Sequence, residues 1–259
     1  MITISFANNK GGSGKSTSCS NLAAALSDMG RRVLLIDGDM QMNLTLSFFG
    51  EDEVLGFAAE EENLFTALSA GEDLRHRIRS TADPNIDIIA STYAMSGIES
   101  GLTALREPGK ALARGLRGIK REAAYDYVLI DAPPTLGLWV KNILTASDRV
   151  IIPAEASPWG LFGLANLLDF IENSGTASAR PELLGVLVTK VDERKNYYRQ
   201  TMETLKGLET LPVFRTVIHV DSAVEWAQDN STTVVSYRRS SRSAREYLDF
   251  AKEVEEKCR

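Results

Sequence analysis

The sequence predicts an α/β fold, a mostly parallel twisted sheet with helices on both faces, and three observations predict it. Short apolar or β-branched runs recur at Ile2 to Ala7, Arg32 to Ile36, Ile86 to Ala90, Tyr127 to Ile130, Arg149 to Pro153 and Leu184 to Val188. Helical stretches separate them, which is the pattern of βαβ units and of a sheet buried on both sides. The chemically suggestive residues, Asn8 to Thr17, Asp37 to Asn43 and Asp131 to Thr135, follow three of these runs. Open parallel sheets bind ligands at the carboxyl ends of their strands, so three strand ends are expected to converge on one site.

Size and composition set the frame. The chain has 259 residues, 44% hydrophobic and 25% charged, near the upper end of what one hydrophobic core supports. No repeat, low-complexity tract or Pro/Gly/Ser-rich boundary divides it, so residues 1–259 read as one domain. Phe49 to Glu62 is acidic and lacks periodicity; it is expected to be an inserted loop leading to a helix around Leu64 to Leu68. The first apolar stretch stops at Asn8-Asn9-Lys10 without a cleavage site, and no apolar run reaches membrane-spanning length. A cytoplasmic protein with no membrane partner is expected. Cys19 and Cys258 have neither disulfide-framework nor metal-ligand spacing. A net charge of -6 argues against coating nucleic acid by bulk charge, although arginines gather near the C-terminus.

The strongest motif is Lys10-Gly11-Gly12-Ser13-Gly14-Lys15-Ser16-Thr17, placed between the first strand and a helical pattern from Ser18 to Met29. Glycines let the backbone curl so that N–H groups face phosphate oxygens, and the helix N-terminus adds partial positive charge. In a P-loop NTPase of this kind Lys15 lies against the β- and γ-phosphates and the Ser16 hydroxyl ligates Mg²⁺. The second run ends in Asp37-Gly38-Asp39. Residues i and i+2 of a strand face the same way, and two carboxylates so close repel unless a cation lies between them. The strand Tyr127 to Ile130 ends in a third carboxylate, Asp131.

Two features of the loop carry a resemblance. Asn9 stands where the general motif has its first glycine, and Lys10 stands five residues before Lys15. The segment resembles the deviant Walker A motif, Lys-Gly-Gly-x-Gly-Lys-Ser/Thr, of the ParA/MinD family. In that family the first lysine reaches the partner subunit's nucleotide. The resemblance implies a homodimer with ATP and Mg²⁺ sandwiched between protomers. Lys10 would then act in trans like an arginine finger, a class of interaction worth about 10³ to 10⁵ in rate.

Asp37-Gly38-Asp39-Met40-Gln41-Met42-Asn43 resembles the family's Asp-x-Asp-Pro-Gln-Gly-Asn, with methionines in place of the proline and the glycine. The resemblance assigns Asp39 to positioning the attacking water and Asp37 to the Mg²⁺ shell. Tyr125 to Gly137 resembles the Walker B strand and following switch, with Asp131 on a Mg²⁺ water and Pro133-Pro134 stiffening the turn. Leu187-Val188-Thr189-Lys190-Val191-Asp192 admits two readings. One is the Thr/Asn-Lys-x-Asp element that selects guanine; the other, preferred, is the ParA strand in which Thr189 belongs to an adenine nucleotide site.

The resemblance continues through Val213 to Ile218 and the final helix, to the ParA/Soj branch of partition ATPases. It implies slow ATP hydrolysis stimulated by a ParB-like partner, and non-specific DNA binding by the ATP dimer, which places it on the nucleoid. Where chromosomal relatives read Ile-Pro-Arg-Asn-Val-Arg-Leu, this chain reads Ile218-His219-Val220-Asp221-Ser222-Ala223-Val224, with both arginines gone. Phosphate contact then falls to Arg194, Lys195, Arg199, Arg238, Arg239, Arg242 and Arg245. Weak non-specific binding, with Kd of roughly 10⁻⁴ to 10⁻⁶ M, would be strengthened when a dimer presents two patches.

Three alternatives remain, the first two of which share the loop. A MinD-like ATPase positioning membrane or protein cargo normally ends in a basic amphipathic helix, whereas Glu253 to Arg259 is acidic. Nitrogenase-type iron proteins need cysteines after the Walker B strand, and Ala132 to Gly137 has none. An ATP-dependent metabolic ligase would have no use for Lys10.

Overall fold

The computed structural model describes residues 1–60, 63–173, 180–208 and 210–259. Of the acidic run Glu60-Glu61-Glu62, the last two residues lie outside the described residues.

Successive strand side chains point to opposite faces, and here both faces are apolar. On one side lie Ile4, Phe6, Val33, Leu35, Tyr127, Leu129, Ile151 and Leu187; on the other lie Leu34, Ile36, Val128, Ile130, Val150, Ile152, Val186 and Val188. A sheet with this pattern needs cover on both sides.

The strands are β1 (Ile2–Phe6), β2 (Val33–Asp37), β3 (Ile78–Ser80), β4 (Ile86–Ile89), β5 (Tyr127–Asp131), β6 (Arg149–Glu155), β7 (Glu182–Val191) and β8 (Val213–His219). They form one sheet in the order β3-β4-β2-β5-β1-β6-β7-β8. Every pairing is parallel except β3 with β4. The predicted mostly parallel sheet is therefore present, with β3 and β8 as edge strands that the apolar runs did not reveal.

The helices, in chain order, are α1 (Lys15–Asp28), α2 (Glu51–Ala59), α3 (Leu64–Ala70), α4 (Ile98–Thr103), α5 (Ala111–Gly115), α6 (Arg117–Glu122), α7 (Leu138–Ala146), α8 (Pro158–Asn173), α9 (Asn196–Gly207), α10 (Ser222–Asp229), α11 (Val234–Tyr237) and α12 (Arg242–Cys258). Side chains of α1, α10, α11 and α12 cover the first face, and those of α3 to α9 cover the second.

The acidic segment expected to be a loop contains α2 instead. Glu51, Asp52 and Glu53 occupy its first turn, and the Glu53 carboxylate accepts a hydrogen bond from the Gly50 N–H at 3.1 Å. Acidic side chains at a helix start interact favourably with the exposed amides and the dipole, so a cluster that reads as solvated loop is a helix start.

No described helix is long and apolar enough to cross a membrane. The final helix does have an apolar face, but Ala244, Tyr247, Phe250, Ala251 and Val254 are buried in the core. Cys19 and Cys258 are both free.

The strand order positions the site. β5 lies between β1 and β2, and the register aligns Asp131 with Phe6 on one side and with Asp37 on the other. The glycine-rich loop and the two aspartate-bearing strand ends are thus direct neighbours.

Candidate functional site

The turn after β1 needs left-handed backbone at two positions, and glycine stands at both: Gly12 has φ +72° and Gly14 φ +86°. Helix α1 begins immediately afterwards, with no side-chain cap and no acidic residue in its first turn. Its first amides remain available to an anion, and the dipole favours one there. Thr189, at the end of β7, donates from its hydroxyl to the Ser13 carbonyl at 2.9 Å and so props the loop from behind.

This loop lines a cleft of about 1160 Å³ with Gly11 to Thr17. Asp39, Asn43 and Pro134 line it as well, together with Thr189 and Lys190, and Ile218, Val220 and Val224 add apolar wall. Phosphate-sized charge and an apolar ring have separate places in such a cleft.

Lys15 faces the carboxylates. Burial lowers its pKa, while attraction to Asp131 and Asp39 opposes that shift. The Ser16 hydroxyl donates to Asp131 Oδ2 at 2.5 Å. Asp131 and Asp37 are both 0% exposed. Burial, and then the proximity of Asp37, pushes the Asp131 carboxyl well up, against the Ser16 hydrogen bond and Lys15. Burial likewise pushes Asp37 up to about 6, against its bonds to Thr45. Asp131 Oδ1 is buried without a hydrogen-bond partner. A hydroxyl, an orphaned carboxylate oxygen and excess buried negative charge are the donor set that a hard divalent cation takes, so the residues fit Mg²⁺.

The Asp37–Asp39 pair differs from the strand expectation. β2 ends at Asp37, and Asp39 lies in the following loop. Only Asp39 lines the cleft. Asp37 sits behind it, accepting from the Thr45 N–H at 2.8 Å, the Thr45 hydroxyl at 2.7 Å and the Asp39 N–H at 3.1 Å. Asp39 in turn accepts from the Gln41 N–H at 3.0 Å. Between them, Gly38 meets a real restriction: a Cβ there would lie 2.7 Å from the Asp131 carbonyl oxygen. Its own carbonyl accepts from Trp139 Nε1 at 2.8 Å. Met42 adopts φ +55°, the left-handed conformation suited to the glycine it replaces.

Lys10 belongs to the same loop but does not line the cleft. Its ammonium pairs with Glu155 at the end of β6 and donates to the Ser157 hydroxyl at 3.2 Å.

Asp192 answers the question of the base. Its carboxylate accepts from the Arg194 N–H at 3.2 Å, Nε at 2.8 Å and Nη2 at 2.9 Å, and the Arg194 side chain holds it down to about 2. It does not line the cleft. A guanine-selecting aspartate must face the base, and this one is turned to Arg194 outside the cleft.

The arginines expected to meet DNA are all exposed but not equivalent. Arg194 pairs with Asp192, Arg239 with Asp28, and Arg242 with Glu193 and Glu246. Lys195, Arg199, Arg238 and Arg245 have no carboxylate at ion-pair distance among the described residues.

Sequence reasoning missed Thr45, Trp139, Glu155 and His219. The imidazole of His219 lies between Glu246 at 2.7 Å and Glu193 at 2.8 Å, at the rim of the cleft. The Asp37-Gly38-Asp39 motif is visible in the sequence, but nothing local marks the threonine and tryptophan that bond to it, Thr45 to Asp37 and Trp139 to Gly38.

Residues 1–183 match the family model described as AAA domain (AAA_31). The sporulation initiation inhibitor protein Soj of Bacillus subtilis is 36% identical over 252 residues, covering 97% of both chains. The chromosome partitioning protein ParA of Caulobacter vibrioides is 31% identical over 255 residues, 98% of this chain and 94% of that one. Among solved structures, cobyrinic acid a,c-diamide synthase from Mycobacterium smegmatis, with bound ATP analog and magnesium, superposes with a TM-score of 0.80 at 26% identity, covering 97% of this chain and 93% of that one. The fold is thus shared with a synthase, while sequence identity is higher to the partition proteins. The chain belongs to the ParA-type partition ATPases.

Proposed function

We propose that the protein is an ATP-dependent dimerisation switch for DNA partitioning. The observation that carries this reading is the divergence of two lysines in one loop. Lys15 and Ser16 open into the protomer's own cleft, while Lys10 lies outside it. An ammonium turned away from its own cleft, towards Glu155 and Ser157, is placed to serve a nucleotide across an interface.

In this reading ATP and Mg²⁺ occupy the cleft as residues 1–259 act as one ATPase domain. Gly11, Gly12, Ser13, Gly14, Lys15, Ser16 and Thr17 hold the phosphates, with Thr189 fixing the loop and adenine, not guanine, against the apolar wall. Ser16 and Asp131 hold Mg²⁺, with Asp37 completing the charge from behind. Mg²⁺, when bound, offsets phosphate charge and supplies ordered waters. Asp39 holds the attacking water, and the partner's Lys10 stabilises charge on the transferred phosphoryl group. Hydrolysis is slow until a ParB-like protein stimulates it, and the ATP dimer binds DNA non-specifically through its arginines. The protein then works in the cytoplasm, on the nucleoid when ATP-bound.

The test is the mass of the protein in solution with ATP and Mg²⁺. Wild type is expected to dimerise, Lys10→Ala to stay monomeric, and Asp39→Ala to form a dimer that persists because hydrolysis stops. Normal dimerisation of Lys10→Ala would return the ligase reading, which shares this fold and needs no trans lysine.

A further inference from the structure

We propose that Glu155 is a positioning residue that holds the Lys10 ammonium back in the single protomer and sets the threshold for ATP-driven dimerisation. The inference rests on the proposed trans role of Lys10.

The segment Asn8–Lys10 is clamped from two sides. Asn8 Nδ2 donates to the Pro153 carbonyl of β6 at 2.7 Å, and Asn8 Oδ1 accepts from the Lys10 N–H at 2.9 Å. From α8, Gly163 approaches so closely that a Cβ there would stand 3.0 Å from Asn8 Oδ1 and 3.1 Å from Asn9 Oδ1. The Lys10 backbone therefore has little freedom, and the direction of its side chain is left to the partners of its ammonium. Those partners are the Glu155 carboxylate and the Ser157 hydroxyl, both carried by the end of β6 and the turn after it. Lys15 Nζ also donates to the Lys10 carbonyl at 3.3 Å, so the two lysines of the loop are tied at the backbone while their ammonium groups serve different places.

Exposure explains why this ion pair can act as a latch. Side-chain exposure is 26% for Lys10 and 33% for Glu155. An ion pair open to solvent to that extent shifts an equilibrium by a factor of only about 1.5 to 5. A triphosphate presented by a second protomer carries more negative charge than one carboxylate and outcompetes Glu155 for the ammonium. Without that charge, Glu155 keeps Lys10 at home. Because a symmetric dimer must open two such pairs, the factors multiply to about 2- to 30-fold in the dimer dissociation constant.

The experiment compares wild type, Glu155→Gln, Lys10→Ala and the double variant by sedimentation across a range of protein concentrations, with ATP and Mg²⁺, with ADP and Mg²⁺, and without nucleotide. Glutamine keeps the shape of Glu155 and removes its charge. Glu155→Gln is expected to dimerise about 2- to 30-fold more tightly in ATP, and the double variant to remain monomeric like Lys10→Ala. Ser157→Ala, which leaves the carboxylate in place, should move the constant in the same direction by less. Unchanged or weaker dimerisation of Glu155→Gln overturns the latch, as does a double variant that regains the dimer, because Glu155 would then act without Lys10. Normal dimerisation of Lys10→Ala alone instead overturns the trans reading, so the two failures are separable.

Discussion

Asp37 illustrates how much of a site is decided by single hydrogen bonds. It has no exposure to solvent, and three donors hold its carboxylate, two of them from Thr45. The Thr45 hydroxyl also receives the Ser91 N–H at 3.4 Å, so one side chain ties the loop after β2 to the segment after β4. Thr45→Val keeps the shape and removes the hydroxyl, leaving a buried carboxylate short of a donor. The expected loss is about 1 to 3 kcal/mol of folding stability, read as a lower urea midpoint at unchanged slope. At this scale the sequence was legible where chemistry dictates residue type at fixed spacing. Gly12, Gly14, Lys15 and Ser16 could be placed because phosphate binding needs them adjacent. Thr45 and Glu155 could not, since each matters only through a partner brought to it by the fold.

Elements were legible in proportion to the burial of their strands. β2 and β5 are apolar on both sides and β1 on one, with Thr3 and Ser5 buried on its other side; these runs stood out, and the site they carry stood out with them. β8 did not, because an edge strand tolerates polar residues, and Arg215 and Thr216 interrupt its apolar run. Its exposed ladder is managed by α12. The Glu253 carboxylate accepts from the Arg215 N–H at 2.8 Å and the Thr216 N–H at 3.1 Å, and from the Thr216 hydroxyl at 3.0 Å. A side chain thereby takes the place of a ninth strand and blocks edge pairing. Glu253→Gln turns one acceptor oxygen into a donor that faces N–H groups. The expected cost is about 1 to 3 kcal/mol, visible by calorimetry as a fall of roughly 2 to 4 °C per kcal/mol in a chain of this size. An unchanged Tm would mean that water already satisfies these amides.

For the whole molecule, the proposed DNA binding has to be reconciled with a net charge of -6. Bulk attraction is unavailable, so such binding would rest on local clusters of cations. Arg194, Arg239 and Arg242 each pair with a carboxylate, whereas Lys195, Arg199, Arg238 and Arg245 do not among the described residues. Sequence alone weights all seven equally; the ion pairs separate them. Arg238 and Arg245 flank the start of α12 and are both exposed. Reversing both to glutamate is expected to lower DNA retention in ATP and Mg²⁺ by roughly tenfold or more, and to flatten the slope of log affinity against log salt by about 0.9 for each phosphate that is no longer neutralised. Arg194→Ala should lower retention by less than the double reversal, because it removes a single charge that is partly offset by the neighbouring Asp192. Equal retention with and without ATP, or retention that survives the reversal, would remove DNA from the reading while leaving the ATP-driven dimer intact. If Lys10→Ala abolishes retention together with dimerisation, and only dimerising forms recover it at higher loading, DNA binding is tied to two patches acting at once.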